Sequence, residues 1–327
     1  MKSPASILAA GLLAALLQFN FSAPADGQII VKPGEKIAFM GDSITFQGWE
    51  VAGGYVQLVT AGLQSLGVKI VPIPAGVGGN TSANMLARLD SDVLSKKPDW
   101  MTLSCGVNDV WHGRDGVALD PYEKNITSIV DQAQAAGIKV VILTATPIGE
   151  DLNNSANKLL APYNDFLRKF AADRHLPLAD ENQAFQDAIK ADPPAPGTRL
   201  LTHDDGVHPD SSGHIVMAKT LLAALGATPD QLAKLENEWL DTPGSANIGA
   251  TLAFHVGDLL TVRQYRAIKA MANAQKATVD VLCVNLFYQA MLDTAKVHNS
   301  DPTSPRESQF ENEMQGAFRA RVAALVK

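Results

Sequence analysis

Ile37-Ala38-Phe39-Met40-Gly41-Asp42-Ser43-Ile44-Thr45 is an apolar run that stops abruptly at Gly-Asp-Ser. Its first part is short and continuously apolar, as in a strand of a parallel sheet buried on both faces. Pro33-Gly34 marks a turn before it. Ser43 then falls at the carboxyl end of the strand, where open α/β sheets place their ligands. It also stands near the amino end of the helix that follows, with its own N–H free to bind an anion. The alternative is that Asp42 and Ser43 only cap that helix.

The same alternation repeats along the chain. A helical pattern ending at Gly67 leads to a second short strand, Val68-Lys69-Ile70-Val71-Pro72-Ile73, and to the glycine-dense loop Gly76-Val77-Gly78-Gly79-Asn80-Thr81. A helical stretch over 82–94 precedes a third strand, Trp100 to Ser104, which breaks at Gly106-Val107-Asn108-Asp109. Helical patterns over 121–136 and 159–174 bracket a fourth strand, Val140-Val141-Ile142-Leu143-Thr144. In the second of these helices Leu159, Tyr163, Phe166, Leu167 and Phe170 share one predicted face. Leu176-Pro177-Leu178-Ala179-Asp180 is a fifth strand. The loop His203 to Pro209 ends in a helix capped by Ser211 or Ser212 and stopped by Gly226. Strands alternating with helices imply a parallel sheet covered on both faces, here a flavodoxin-like three-layer α/β/α fold with five strands. That core spans residues 26–226. Residues 227–327 change character: 230–240, 261–277, 279–292 and 309–326 read as helices, with loops at 242–245 and 299–305. This helical C-terminal extension is expected to pack on a core already complete without it.

The chain has 327 residues, 46% hydrophobic and 19% charged, ordinary globular composition with ample material for a core. A formal net charge of −7 without long Lys/Arg runs argues against nucleic acid and anionic membrane as partners. Residues 1–25 read as a signal peptide: Lys2, an apolar run over 7–17, and Ala23-Pro24-Ala25 before the cut. Export to the periplasm or medium follows, with a retained anchor as the competing reading. Cys105 and Cys283 both lie in apolar runs and read as small buried hydrophobes, with pairing left open.

The chemistry gathers at the strand ends. Gly41-Asp42-Ser43, Gly79-Asn80-Thr81 and Gly106-Val107-Asn108-Asp109 come together at one edge of a parallel sheet. Asp205-Gly206-Val207-His208 adds an imidazole and a carboxylate three residues apart. Ester cleavage needs a nucleophile, a base, a group to orient the base, and donors for the oxyanion. Ser43 offers the hydroxyl and His208 the base. Asp205 can hold the imidazole tautomer and stabilise the imidazolium. The Ser43 N–H, the Gly79 N–H and the Asn108 amide are candidate oxyanion donors.

These four blocks, in this order, resemble the motif blocks of the SGNH (GDSL-type) hydrolases over roughly residues 35–226. Together they are specific where each alone is not. The resemblance implies the same fold, esterase or lipase chemistry with no cofactor or metal, Ser43 as nucleophile, Asp205 and His208 as its triad partners, and Gly79 and Asn108 as oxyanion donors. Gly78 is the alternative donor; Gly79 is preferred because it directly precedes a polar pair, as the family's glycine does. The resemblance says nothing of residues 227–327.

Other readings compete. His203, Asp205, His208, Asp210 and His214 have the residue types of metal ligands, but their spacing fits no tight template. His214 is expected to pack or hydrogen-bond on the last core helix, and Asp109 to cap a loop. Trp49 and Trp111 follow the Ser43 and Asn108 blocks, with Arg114 near, and are candidates to line the cleft; the alternative is that they pack in the core. Aromatic rings at a cleft edge suit sugar faces. The first expectation is therefore a serine esterase acting on short acyl esters, above all O-acetyl groups on saccharides. A lysophospholipase or thioesterase-like lipid esterase is the alternative enzyme. A carbohydrate-binding module without turnover is the alternative outside enzymes.

Overall fold

The computed structural model describes residues 28–194, 201–203, 205–241, 260–275 and 307–325, together with parts of 279–290. The signal segment and the loops at 242–245 and 299–305 lie outside them.

The apolar run at 37–40 forms strand β1 (Lys36–Gly41), whose residues after Lys36 are all buried. It pairs in parallel with β2 (Val71–Gly76) on one side and β3 (Trp100–Ser104) on the other. Beyond β3 lie β4 (Lys139–Leu143) and β5 (Leu178–Ala179), also parallel. The order β2-β1-β3-β4-β5 is the flavodoxin-like one. The chain leaves β1 for β2 on one side and returns to β3 on the other. The crevice at this reversal lies beyond the carboxyl ends of β1 and β3, and those ends carry Ser43 and Asn108.

Helices cover both faces. They are α1 (Ser43–Glu50), α2 (Tyr55–Ser65), α3 (Ser82–Ala87), α4 (Leu89–Asp92), α5 (Val107–Trp111), α6 (Leu119–Ala135), α7 (Ser155–Asp173), α8 (Glu181–Ala191) and α9 (Ser211–Ala224). After them come α10 (Pro229–Leu240), α11 (Val262–Ala274) and a helix at Glu307–Leu325.

Local chemistry explains where the structure departs from the pattern. Strand β2 begins and ends three residues later than expected, and Pro72 and Pro74 lie inside it, opposite Ile37 and Phe39. Proline lacks an N–H, so a strand containing two is confined to an edge, and β2 is an edge strand. The single helix expected over 82–94 breaks at Arg88, whose guanidinium turns back to the Gly41 and Ala75 carbonyls. On α7 the buried stripe runs through Leu160, Tyr163, Leu167 and Phe170. Leu159 is 64% exposed, so it does not share that face. The cap of α9 is Asp210 rather than Ser211 or Ser212: its Oδ1 accepts from the Ser212 and Gly213 N–H groups at 2.8 and 3.1 Å. A carboxylate is a stronger acceptor at that place than a hydroxyl.

Beyond α9, α10 joins the main core through Leu235 and Trp239, which pack over Gly62 of α2. A second apolar cluster forms around Tyr265, Ile268, Cys283, Phe318 and Val322. Cys105 lies in the main core and Cys283 in the second, and no disulfide joins them. No helix among the described residues is long and apolar enough to cross a membrane.

Candidate active site

Ser43 is the first residue of α1. Asp42 caps that helix by accepting from the Ile44 N–H at 2.9 Å. The turn from β1 is tight: a Cβ at Gly41 would lie 2.0 Å from the Thr45 hydroxyl, so only glycine fits. Capping and a functional serine are therefore compatible: Asp42 caps and leaves the Ser43 hydroxyl free. Asp42 is itself buried, and burial pushes its carboxyl up to about 6, against the Ile44 N–H and the nearby His208.

His208 reaches Ser43 from the loop before α9, with Nε2 2.8 Å from the Ser43 Oγ. Its Nδ1 lies 2.6 Å from Oδ2 of Asp205. The other oxygen of Asp205 accepts from the Val207 and His208 N–H groups at 2.9 and 3.0 Å, closing a turn that presents carboxylate and imidazole together. Burial alone would raise the Asp205 carboxyl. The His208 imidazole and the two N–H groups outweigh it and hold Asp205 below the usual carboxylate range. An ionised Asp205 accepts from Nδ1–H, which leaves Nε2 to accept from the serine hydroxyl.

The loop is anchored at its base. Thr202 and Pro209 form an antiparallel bridge, and the His203 N–H donates to the His208 carbonyl at 2.9 Å. Buried Glu150 accepts from the Leu201 N–H, the Thr202 N–H and the Thr202 hydroxyl at 2.9, 2.9 and 2.8 Å. The Gly149 N–H donates to the Gly206 carbonyl at 2.7 Å. Sequence reasoning missed Glu150, because nothing local marks a carboxylate that acts about fifty residues downstream.

The candidate oxyanion donors lie at the ends of three adjacent strands. Gly79 is exposed in the turn after β2 with φ +73°, a backbone that suits glycine. Val77, in the same turn, donates its N–H to the Gly41 carbonyl at 3.1 Å, tying this loop to the end of β1. Asn108 is buried, and its amide nitrogen donates to the Asn80 carbonyl at 3.1 Å. That nitrogen carries two N–H groups, so one remains for the cleft. Arg88 steadies the region by donating to the Asn80 side chain at 2.6 Å, another residue that local sequence does not betray.

Asp109 is a cap. It accepts from the Ser82 N–H and hydroxyl and from the Cys105 thiol. His214 is fully buried, stacked on Tyr55, and accepts from the Tyr55 N–H at 3.4 Å. Burial pushes its imidazole down to about 3, so it is neutral. Among the described residues no three His, Cys, Asp or Glu side chains gather as a metal site.

The two tryptophans part company. Trp49 is half-buried against the main core. Trp111 is 44% exposed and stands edge-on to the His208 ring, with centroids 6.2 Å apart. Arg114 is exposed in the short turn Gly113–Asp115 that follows. Phe46, one turn along α1 from Ser43, and Val77 are also exposed apolar side chains in this region, at 48% and 39%. Sequence reasoning passed over both, because the spacing Ser43–Phe46 matters only once the helix is known to start at the serine.

The profile of the GDSL-like lipase/acylhydrolase family matches residues 39–216, more than half of the chain. The chain belongs to this family. It is a carboxylic ester hydrolase of the SGNH type, and the flavodoxin-like core is that family's fold. An acetylxylan esterase of Geobacillus stearothermophilus is 29% identical over 214 residues, covering 59% of this chain and 94% of that enzyme. Its crystal structure superposes with a TM-score of 0.55 at 28% identity, over 61% of this chain and 97% of that one. Structures of that enzyme described as catalytic mutants carry their changes at a serine, an aspartate and a histidine. The esterase TesA of Pseudomonas aeruginosa is 32% identical over 110 residues, 33% of this chain and 53% of that one. This GDSL-type hydrolase thus shares its core with esterases, whereas the acetylxylan esterase match leaves about two-fifths of the chain uncovered.

Proposed function

We propose that this hydrolase is an exported serine esterase that removes O-acetyl groups from saccharides. The observation that carries the reading is the line of contacts Asp205–His208–Ser43, at 2.6 and 2.8 Å. Ser43 Oγ attacks the acetyl carbonyl as His208 Nε2 takes its proton. Asp205 stabilises the imidazolium that results. The negative charge on the former carbonyl oxygen is met by the Ser43 and Gly79 N–H groups and the Asn108 amide. Collapse breaks the bond to the sugar oxygen, which takes the proton from His208 and leaves as the alcohol. Ser43 then holds the acetyl group. Water attacks this ester as His208 again accepts a proton; acetate departs and Ser43 recovers its hydrogen.

The sugar preference rests on Trp111, exposed beside the catalytic imidazole, where a flat ring can face a pyranose. Trp49, half-buried against the main core, remains a second candidate to line the cleft. The acetylxylan esterase among the relatives favours the same substrate class. Membership of a hydrolase family favours turnover over the carbohydrate-binding module. Export fits a polymeric saccharide substrate and the apolar segment at 7–17.

The lipid-esterase reading keeps one observation on its side. Phe46 and Val77 give the cleft region exposed apolar surface of the kind an acyl chain covers. Rates on acetylated xylo-oligosaccharides, set beside p-nitrophenyl esters of two to ten carbons, separate the two. The proposal requires efficient deacetylation of the saccharide. No acetate release from it, with good turnover of long-chain esters, selects the lipid esterase.

A further inference from the structure

The extension beyond the family's core reaches back to the segment that follows His208. Lys269, on α11, places its ammonium 2.9 Å from Oδ2 of Asp210. Asp210 is fully buried and Lys269 nearly so, at 14% side-chain exposure. Both carboxylate oxygens are engaged: Oδ1 accepts from the Ser212 and Gly213 N–H groups in the first turn of α9, and Oδ2 accepts from the lysine. Arg266, one turn earlier on α11, donates to the Ser212 hydroxyl at 3.2 Å. The helix is fixed at its start as well, with Val262 buried in the main core and Arg263 paired with Asp241.

Asp210 lies two residues from His208. Its N–H donates to the Leu201 carbonyl at 2.9 Å, beside the Thr202–Pro209 bridge that closes the histidine loop. Glu150 holds one strand of that bridge, and the other ends at Asp210. We infer that Lys269 is a positioning residue of this esterase: its buried ion pair with Asp210 fixes the base of the loop that aims His208 at Ser43. The inference rests on the Ser43–His208 reading above. It gives residues beyond the family core a part in catalysis, in place of a passive covering.

A buried carboxylate deprived of its counter-charge is strongly unfavourable. Without Lys269 the site must admit water, take up a proton or move, and each loosens the turn two residues from the imidazole. A displacement of about 1 Å at a catalytic group can cost on the order of 10²-fold in rate. Lys269 is largely buried and its ammonium is engaged by Asp210, so substrate binding should change little.

Full-length K269M, K269R and S43A test this together, with p-nitrophenyl acetate as substrate and a fluorophosphonate as the serine probe. K269M is expected to lose about tenfold or more in kcat with KM within about twofold. Its rate of phosphonylation should fall in step, because that reaction also needs His208 to activate Ser43. K269R retains a cation within reach of Asp210 and should recover most of the loss. Should K269M not fold, K269Q, which drops the charge but keeps a donor, is judged by the same criterion. A K269M enzyme with wild-type kcat overturns the inference, even if its melting temperature drops. So does equal impairment of K269M and K269R, which makes the site one of packing alone. The underlying reading fails separately and visibly: S43A would then retain turnover.

Discussion

His208 and Ser43 are 165 positions apart in sequence and 2.8 Å apart in space, Nε2 to Oγ. Two structural devices bring them together. The sheet delivers Ser43 at the end of β1, and an anchored turn delivers His208 at the start of α9. Neither device depends on substrate, so the pair is already aligned in the free protein. Preorganisation of this kind is what lets a weak nucleophile react.

On the proposed triad, removal of His208 as base should cost more than removal of Asp205 as its orienting partner. H208A is expected to lose on the order of 10⁴-fold or more in kcat, and D205N measurably less, because D205N disturbs tautomer and orientation while the imidazole remains. Steady-state rates on p-nitrophenyl acetate give the ranking. D205N falling below H208A would mean that Asp205 does more than hold the ring.

In its proposed role as an oxyanion donor, Asn108 acts on charge that develops only during reaction. N108A should therefore lower kcat by roughly 10²–10³ with a smaller effect on KM. A raised KM at constant kcat would make Asn108 a substrate-binding group. The Asn80 carbonyl also loses a donor in this variant, so a modest drop in melting temperature accompanies the rate loss.

Asp42 carries a pH signature in stability. Its carboxyl, pushed up to about 6, holds a proton more tightly in the folded protein than in the unfolded chain. Protonation thus favours folding, and that contribution is lost as pH rises through about 6. A shift of this size is worth roughly 3 kcal/mol. D42N keeps an oxygen for the Ile44 N–H but does not titrate. Urea unfolding should show wild type losing stability relative to D42N between about pH 4 and pH 7, by an amount approaching that figure. Parallel curves for the two proteins would contradict the assignment.

Much of this was legible in the chain. Short apolar runs ending in Gly-Asp-Ser and Gly-Val-Asn-Asp mark strands whose carboxyl ends carry polar groups, and the parallel sheet gathers those ends without further information. What stayed hidden was set by distant partners. The prolines of β2 make sense only once that strand is known to be an edge. Leu159 looked like part of an apolar stripe until Leu160 fixed the buried face. Glu150, Arg88 and Lys269 are ordinary surface residue types, and their burial follows from segments far away in sequence.

Acyl-chain preference separates a shallow acetyl site from a lipid groove. Each methylene buried in a groove contributes about 0.8 kcal/mol, so a lipid esterase gains with chain length. For an acetyl site kcat/KM should be highest on the two-carbon ester and fall by about tenfold or more by eight carbons, roughly 1.4 kcal/mol in barrier. W111A should harm deacetylation of xylo-oligosaccharides more than hydrolysis of p-nitrophenyl acetate. A steady rise from two to ten carbons would promote the lipid reading and turn attention to Phe46 and Val77.

Covalent trapping asks whether Ser43 is the nucleophile. The full-length protein is treated with a fluorophosphonate, its residual esterase activity is followed, and the modified peptide is mapped by mass spectrometry. A single adduct on Ser43 is expected, formed in proportion to the activity lost, with no adduct in S43A. Full activity in a protein whose Ser43 is completely phosphonylated, or inactivation with the label on another residue, would contradict it.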